Sequence, residues 1–208
     1  MPRVVNPGAA ELSALLEERV LAAVERAQGW LPFDRYMSMA LYEPGLGYYA
    51  RGAPIFGAFP AGANGRGGSD FITAPELSPL FGATLARQVA QVLRQGELDE
   101  VIEFGAGSGA LAGQVLDALQ SMDVPLRRYT IVELAGTLRE RQQERLARFG
   151  GQVRWIDALP ARLRGVVIGN EVLDAMPVKL LHLASEGWSE RGVAAAPQGA
   201  SPGRRLVF

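Results

Sequence analysis

Three closely spaced glycines follow a short apolar run in the middle of the chain. Gly105, Gly107 and Gly109 come directly after Val101–Phe104 and before a second apolar stretch. Glycine lets the backbone turn sharply and approach a ligand closely, and a helix that begins just beyond presents unpaired N–H groups. Gly105 and Gly107 together with Ala110 also satisfy the loose dinucleotide pattern, and a tight strand–helix turn without a ligand is a further alternative. The pattern therefore predicts a ligand-binding loop, with the ligand still open.

Acidic residues stand at the ends of three successive apolar runs: Glu103, Glu133 and Asp157. Glu103 lies two residues before the first glycine, where it would repel a pyrophosphate and attract an ammonium or a sulfonium. Glu133 suits the two hydroxyls of a ribose. Asp157 can accept a hydrogen bond from an adenine amino group, and Ile156 can cover the ring. Each acid alone could be a solvated surface residue, but together they favour a nucleoside-bearing cationic cofactor such as S-adenosylmethionine.

The apolar pattern places these residues on a parallel sheet. Short strands alternate with helices beyond residue 96, which indicates a doubly wound, Rossmann-like α/β core over residues 96–208. The predicted strands cover residues 100–104, 129–133, 153–156 and 165–169, and the helices between them cover residues 109–121 and 136–148. We predict an N-terminal helical region over residues 1–95, with helices at 9–28, 32–41 and 78–94 and a glycine-rich flap at 53–69. Residues 180–208 suggest a hairpin or short strands.

The motifs together resemble one family. The glycine loop with its three acids is accompanied by Asn170–Pro177, and upstream by Leu41–Tyr49 and Ser69–Gly82. On these segments the chain is similar to the MidA-like S-adenosylmethionine-dependent methyltransferases over about residues 30–182. The resemblance implies a class I methyltransferase sheet and S-adenosylmethionine as the cofactor. Mitochondrial members methylate an arginine of a complex I subunit during assembly, so it also implies a protein substrate.

The resemblance carries over roles for individual residues. Gly105, Gly107 and Gly109 would cradle the aminocarboxypropyl end of the cofactor, with Glu103 near its ammonium. The remaining cofactor-binding residues would be Glu133 at the ribose, Asp157 and Ile156 at the adenine, and Thr73, Pro75 and Glu76 as a lid. Asn170 and Glu171 would lie beside the transferred methyl group.

Methylation of arginine requires a group that orients the guanidinium and helps to remove its proton. A carboxylate can do both through a charge-assisted hydrogen bond. Glu171 and Asp174, three residues apart after the fourth strand, are the candidates, together with Asn170. Alternatively, Asp174 caps the next helical turn and Glu171 only orders the loop.

Particular residues leave other functions open as alternatives. Ser108, an aspartate and His182 follow the chain order of α/β hydrolase triads, although alanines replace the glycines of the nucleophile elbow. A non-catalytic adaptor that keeps a cofactor-binding fold is a further alternative. The arginines of residues 139–148 alternate with glutamates, which favours a solvated, ion-paired helix face over a nucleic-acid patch.

Composition limits the class of protein. The chain has 208 residues, no cysteine, one histidine and a net charge of −1. It has no cysteine for disulfides or thiolate metal sites, and one histidine does not make the usual zinc site, so we predict no metal. The balanced charge predicts no nucleic-acid partner, and no apolar run reaches membrane-spanning length. Without a signal or transit pattern at the start, we expect a cytoplasmic location.

Length raises a further expectation. A methyltransferase sheet of this type has seven strands, and the sequence provides four before Pro177. We therefore expect the chain to correspond to roughly the N-terminal half of a family member, truncated after the fourth core strand. The sheet would then end in an open edge unless residues 180–208 or another chain cover it. This predicts self-association or weak activity.

Overall fold

The computed structural model of the chain describes residues 8–51, 72–197 and 205–208. In chain order the elements are α1 (Ala9–Arg26), β1 (Trp30–Pro32), α2 (Phe33–Tyr42), α3 (Ala74–Leu77), α4 (Pro79–Gln95), β2 (Glu100–Phe104), α5 (Ala110–Ser121), β3 (Arg128–Val132), α6 (Gly136–Leu146), β4 (Val153–Ile156), β5 (Val166–Gly169), β6 (Leu180–Ala184), β7 (Gly187–Ala195) and β8 (Leu206–Val207). Short 3-10 turns cover Ala147–Gln152 and Leu173–Ala175. The predicted flap at 53–69 lies outside the described residues.

Contacts divide the chain into two units. One comprises Met1–Arg51 and Asp174–Phe208, and the other comprises Gly52–Leu173. This division differs from the boundary that the sequence suggested near residue 95, because α4 packs against α5, the helix that follows the glycine loop.

The first unit is built on antiparallel strands. β7 pairs with β6, β1 and β8, and the β6–β7 pair is the hairpin that residues 180–208 predicted. A small apolar core forms where Val20 and Val24 of α1 meet Leu31 of β1. Val20 and Val24 are four residues apart, so they lie on the same face of α1.

The second unit contains the parallel sheet. Its strand order is β4-β3-β2-β5, and all pairs are parallel. This confirms the predicted Rossmann-like α/β fold, and each core strand begins and ends within one residue of its predicted range. The order reverses between β2 and β5, and sheets of this kind bind ligands at the carboxyl ends of the strands beside such a reversal.

Apolar helix faces form the core of the second unit. Ala86, Val89, Ala90 and Leu93 of α4 are buried at helical spacing. Ser78 caps the start of this helix by accepting a hydrogen bond from the Leu80 N–H at 3.2 Å. On α5 the buried residues run almost all round the helix (Ala110, Leu111, Ala112, Gly113, Val115, Leu116 and Leu119), so this helix is enclosed by its neighbours. The glycine loop is therefore fixed between a buried strand and a buried helix.

The edge of the parallel sheet at β5 leads to a prediction. In the described part of the chain, β5 pairs with β2 only, and its Val167 is 50% exposed. An exposed apolar edge strand favours pairing with another chain, and a lysine on such a strand opposes it. If this edge drives self-association, sedimentation velocity should show a concentration-dependent dimer that Val167→Lys shifts to monomer. A monomer at all concentrations would contradict the prediction.

Candidate functional site

A cavity opens at the carboxyl end of β2, where sheets of this kind bind their ligands. Most of the predicted site residues line it: Thr73, Pro75, Glu76, Glu103, Gly105, Gly107, Asn170 and Glu171. Ala106, Ser108, Ala110 and Leu111 complete the lining. Residues from three separate stretches of the chain are thus brought together around the glycine loop.

The backbone of the glycine loop favours glycine at all three positions. Gly105, Gly107 and Gly109 have φ angles of 61°, 55° and 81°, in the left-handed region that side chains other than glycine disfavour. A Cβ on Gly105 would lie 2.6 Å from Cγ2 of Val172. The loop therefore has a backbone conformation that is less strained for glycine than for other residues.

Gly105→Ala is expected to destabilise the protein by more than about 1–2 kcal/mol, the cost of a left-handed alanine, because it also meets Val172. Urea unfolding measures the loss. Adding Val172→Ala should recover the part that comes from the clash. Gly136→Ala is the matched control, since a Cβ there meets nothing within 4 Å. Equal stability of Gly105→Ala and Gly136→Ala would contradict the expectation.

Glu103 is a buried carboxylate at the wall of the cavity. It is 1% exposed, and its Oε2 accepts a hydrogen bond from the Tyr129 hydroxyl at 2.7 Å. Burial raises the pKa of Glu103 to about 7; the Tyr129 hydrogen bond opposes this shift and the nearby Glu133 charge adds to it. Such a group favours a cationic ligand, because a nearby positive charge stabilises the ionised carboxylate.

Glu133 follows β3 and is buried next to the glycine loop. Its Oε1 accepts a hydrogen bond from the Ala135 N–H and its Oε2 one from Nε2 of Gln142, both at 2.9 Å. Burial raises the pKa of Glu133, and these hydrogen bonds oppose the shift. Glu133 and Gly109 are not among the residues that line the cavity. Both oxygens of the carboxylate are nevertheless held in fixed positions.

The predicted adenine residues lie at the end of β4. Ile156 is half-buried and Asp157 is exposed, and neither lines the cavity. The Glu133 N–H donates a hydrogen bond to the Ile156 carbonyl at 3.0 Å. This bond continues the pairing of β3 with β4 up to the acidic residues that follow the two strands, Glu133 and Asp157. The role of Ile156 and Asp157 at an adenine ring stays a prediction.

Asn170 and Glu171 reach the cavity from the end of β5. Nδ2 of Asn170 donates to Oε1 of Glu171 at 3.3 Å. Glu171 is exposed and has a φ of 51°, a strained conformation for a residue other than glycine. Asp174 belongs to the other unit, is exposed in the turn Leu173–Ala175, and does not line the cavity.

The segment predicted as a lid is held by side chains from two helices. Oε1 of Glu76 accepts a hydrogen bond from the Ser108 hydroxyl and lies 3.4 Å from Nη1 of Arg145, which donates to the Ser108 hydroxyl at 2.7 Å. Gln114 donates to the Pro75 carbonyl at 2.7 Å and accepts from the Gly82 N–H at 3.1 Å. Ser108 thus contacts a carboxylate and a guanidinium, which does not favour the hydrolase alternative with His182 as its base.

Sequence reasoning missed Tyr129, Gln114, Arg145 and Gln142. Arg145 and Arg148 pair with Glu76 and Asp117 on other elements, whereas the alternating charges suggested pairs within the helix. Gln142 carried a signal, because it stands four residues from both Leu138 and Leu146 on the buried face of α6. A polar residue in the middle of an apolar stripe needs buried partners.

Two further features concern metals and membranes. The described residues contain no group of three or more acidic, histidine or cysteine side chains that could hold a metal ion. In the described ranges no helix combines the length and apolarity needed to cross a bilayer.

Comparison with known proteins identifies the family. The family model Methyltransf_28, whose description is an S-adenosyl-L-methionine-dependent methyltransferase, matches residues 84–207. Over 100% of its length the chain is 48% identical to a COG1565 superfamily member from Burkholderia thailandensis, solved with bound S-adenosyl-homocysteine, with a TM-score of 0.80 and 52% of that chain covered. A second structure from the same organism is 45% identical, with a TM-score of 0.75, 100% of this chain and 50% of that one covered.

Curated relatives carry arginine methyltransferase names. The mitochondrial protein arginine methyltransferase NDUFAF7 homolog of Caenorhabditis elegans is 29% identical over 79% of this chain and 43% of its own length. The human mitochondrial protein arginine methyltransferase NDUFAF7 is 24% identical, over 83% of this chain and 44% of its own length. The chain thus spans about half the length of the curated relatives it matches.

The expected cytoplasmic location is wrong by this comparison, because these relatives are named as mitochondrial. The resemblance that the motifs indicated is confirmed by the family model and by the fold. The chain belongs to the MidA-like family of S-adenosyl-L-methionine-dependent methyltransferases.

Proposed function

We propose that this chain binds S-adenosylmethionine in the cavity at the end of β2 and transfers its methyl group to an arginine side chain of a protein. One observation carries the proposal: two left-handed glycines, Gly105 and Gly107, and the buried Glu103 carboxylate line a single cavity. The bound S-adenosyl-homocysteine of the relative that is 48% identical supports the cofactor. The names of the curated relatives support arginine as the acceptor.

The residues of the cavity fit such a cofactor. At Gly105 and Gly107 the backbone itself lines the cavity without side chains in the way, which allows the close approach that an aminocarboxypropyl group needs. Glu103 provides a negative charge for the ammonium. We assign Glu133 to the ribose hydroxyls, and Asp157 with Ile156 to the adenine.

The acceptor chemistry falls to the residues after β5. S-adenosylmethionine supplies an electrophilic methyl group on a sulfonium when it is bound. A protonated guanidinium is a poor nucleophile, so it needs a carboxylate that orients one nitrogen and accepts its proton. Glu171 lines the cavity and is exposed, so we assign this role to Glu171, with Asn170 holding its carboxylate. Asp174 remains a second candidate from the sequence.

The test follows labelled methyl groups. The chain is incubated with methyl-labelled S-adenosylmethionine and a cell extract, and the labelled residue is identified by mass spectrometry. We expect label on protein arginine. Label on another type of residue would contradict arginine as the acceptor and would leave the proposed methyl-transfer activity intact.

Binding without transfer separates the alternatives. If the chain binds S-adenosylhomocysteine but no label is incorporated, the adaptor alternative replaces the enzyme. If it does not bind, the cofactor site itself is wrong. The link to complex I assembly and the absence of a nucleic-acid partner stay predictions of the sequence.

A further inference from the structure

Gln142 is a polar side chain that is fully buried, although it belongs to a helix of mostly polar, exposed residues. Its exposure is 0%, and it lies on the same face of α6 as the buried Leu138 and Leu146. We propose that Gln142 is a positioning residue of the cofactor site, which fixes the glycine loop and Glu133 relative to each other. This inference rests on the proposed function.

The contacts of Gln142 reach three segments of the predicted site. Its Nε2 donates to the Gly107 carbonyl and to Oε2 of Glu133, both at 2.9 Å. Its Oε1 accepts from the indole Nε1 of Trp155, also at 2.9 Å. A glutamine amide has two N–H donors and one carbonyl acceptor. One side chain thus joins the glycine loop, the end of β3 and the strand that leads to Ile156.

The Gly107 carbonyl is the contact with the largest consequence for the loop. Gly107 has a φ of 55°, and glycine loses more conformational freedom on ordering than any other residue. A hydrogen bond to its carbonyl restricts the orientation of the peptide plane between Gly107 and Ser108, two residues that line the cavity. Without this bond, the loop would keep its backbone hydrogen bonds at Gly105 and Gly109 and lose the restraint on the Gly107 carbonyl.

The Glu133 contact sets the direction of a carboxylate. The Ala135 N–H holds one oxygen and Gln142 holds the other, so the side chain cannot rotate without breaking both bonds. Each oxygen keeps further lone pairs for ligand hydroxyls. A ribose that binds Glu133 would therefore meet a carboxylate whose position is set by the same amide that holds Gly107.

Packing alone does not require a glutamine here. A leucine at this position would extend the stripe of Leu138 and Leu146, and it would remove the hydrogen bonds of the amide to the Gly107 carbonyl, Oε2 of Glu133 and the Trp155 indole. Buried polar groups without partners are unfavourable, so the amide matches its surroundings. Because Gly107 and Glu133 belong to the predicted cofactor site and Trp155 directly precedes Ile156, the arrangement points to ligand positioning.

The experiment measures S-adenosylhomocysteine binding by isothermal titration for the wild type, Gln142→Glu and Gln142→Leu between pH 5.5 and 8. An ionised glutamate cannot donate to Gly107 or Glu133, and it adds a second carboxylate beside Glu133. We expect Gln142→Glu to bind at least tenfold more weakly than the wild type at pH 8. At pH 5.5 the difference should shrink, because a protonated glutamate donates again. Gln142→Leu should be weaker at every pH.

Gln143→Glu is the matched control, since it makes the same charge change at the neighbouring exposed glutamine of α6. It should bind like the wild type. Expressing each affinity relative to the wild type at the same pH removes the titration of Glu103 from the comparison. For a variant with low stability, the rise in unfolding midpoint on adding S-adenosylhomocysteine gives the same comparison.

The outcomes distinguish failure of the positioning role of Gln142 from failure of the proposed function. Variants with a lower unfolding midpoint but wild-type affinity would overturn the positioning role and leave the proposed function intact. A wild type that does not bind S-adenosylhomocysteine would overturn both. Weaker binding of Gln142→Glu that recovers at low pH, with an unchanged control, supports the proposal.

Discussion

Replacing Glu103 with glutamine is expected to stabilise the unliganded protein above pH 7 and to weaken the binding of S-adenosylhomocysteine. Both effects have the same cause. Glu103 is buried with a pKa of about 7, far above the usual 4.5 of a glutamate. Its ionised form is therefore unfavourable in the folded protein until a cation binds beside it.

The direction of the stability change follows from proton binding. Between pH 4.5 and 7, Glu103 is protonated in the folded protein and ionised in the unfolded chain. The unfolded state binds fewer protons in this range, so the free energy of unfolding falls as the pH rises. A pKa difference of this size corresponds to about 3 kcal/mol. Glu103→Gln removes that loss, so it should gain up to about 3 kcal/mol at pH 8 and little at pH 4.

The binding change has the opposite sign. An ammonium beside Glu103 needs the ionised carboxylate, so the wild type should bind S-adenosylhomocysteine more tightly as the pH rises toward 7. Above pH 7 the affinity should level off. Removing one partner of a buried charge pair costs about 2–5 kcal/mol, so Glu103→Gln should bind about a hundredfold more weakly at pH 8. The dependence on pH below 7 should largely disappear.

Two measurements check these effects together. Urea unfolding at several pH values gives the stability, and titration calorimetry in buffers of different ionisation enthalpy counts the protons released on binding. 5′-Methylthioadenosine is the control ligand, because it has no ammonium and should bind both proteins alike. Equal stability of both proteins at pH 8, or an unchanged affinity for S-adenosylhomocysteine, would contradict this view of Glu103.

The fold and the candidate site were predictable to different degrees. The parallel sheet could be predicted because each strand is a short apolar run between polar turns. The glycine loop could be predicted because a left-handed φ angle is a property of a single residue. The three φ angles of the loop concern single residues, so Gly105, Gly107 and Gly109 could be identified from the sequence. The pairing of β6 with β7 is also local, because they are neighbours along the chain.

The hydrogen bonds that hold the cavity-lining residues join side chains that are far apart in the sequence. A local sequence pattern does not contain such contacts. Ser108 meets Glu76 from 32 residues away, and Gln142 meets Gly107 from 35 residues away. The surface of α6 shows alternating charges, which conceal a glutamine that packs inward. Arg145 illustrates the same point, since its partners lie on the glycine loop and on α3. Sequence reasoning therefore identified most of the residues that line the cavity and missed most of those that hold them.

Glu171→Gln is expected to leave S-adenosylhomocysteine binding within about twofold and to reduce methyl transfer by about a hundredfold, the usual contribution of a positioned proton acceptor. Glutamine keeps the shape and loses the negative charge that would orient the guanidinium. Initial rates of methyl incorporation at saturating S-adenosylmethionine measure the change. Turnover equal to the wild type would show that Glu171 only orders its loop.

The strained backbone at Glu171 allows a sharper version of this test. Its φ of 51° lies in the left-handed region, where asparagine is tolerated better than glutamate. Glu171→Asn should therefore gain a few tenths to about 1 kcal/mol in the free energy of unfolding while it loses turnover. Glu97→Asn is the matched control, because Glu97 has a similar φ of 48° and does not line the cavity. It should gain stability and keep its activity. If only Glu171→Asn gains stability and loses turnover, the backbone strain at Glu171 is retained for the position of its carboxylate. If Glu171→Asn and Glu97→Asn change stability and turnover in the same way, that argument fails.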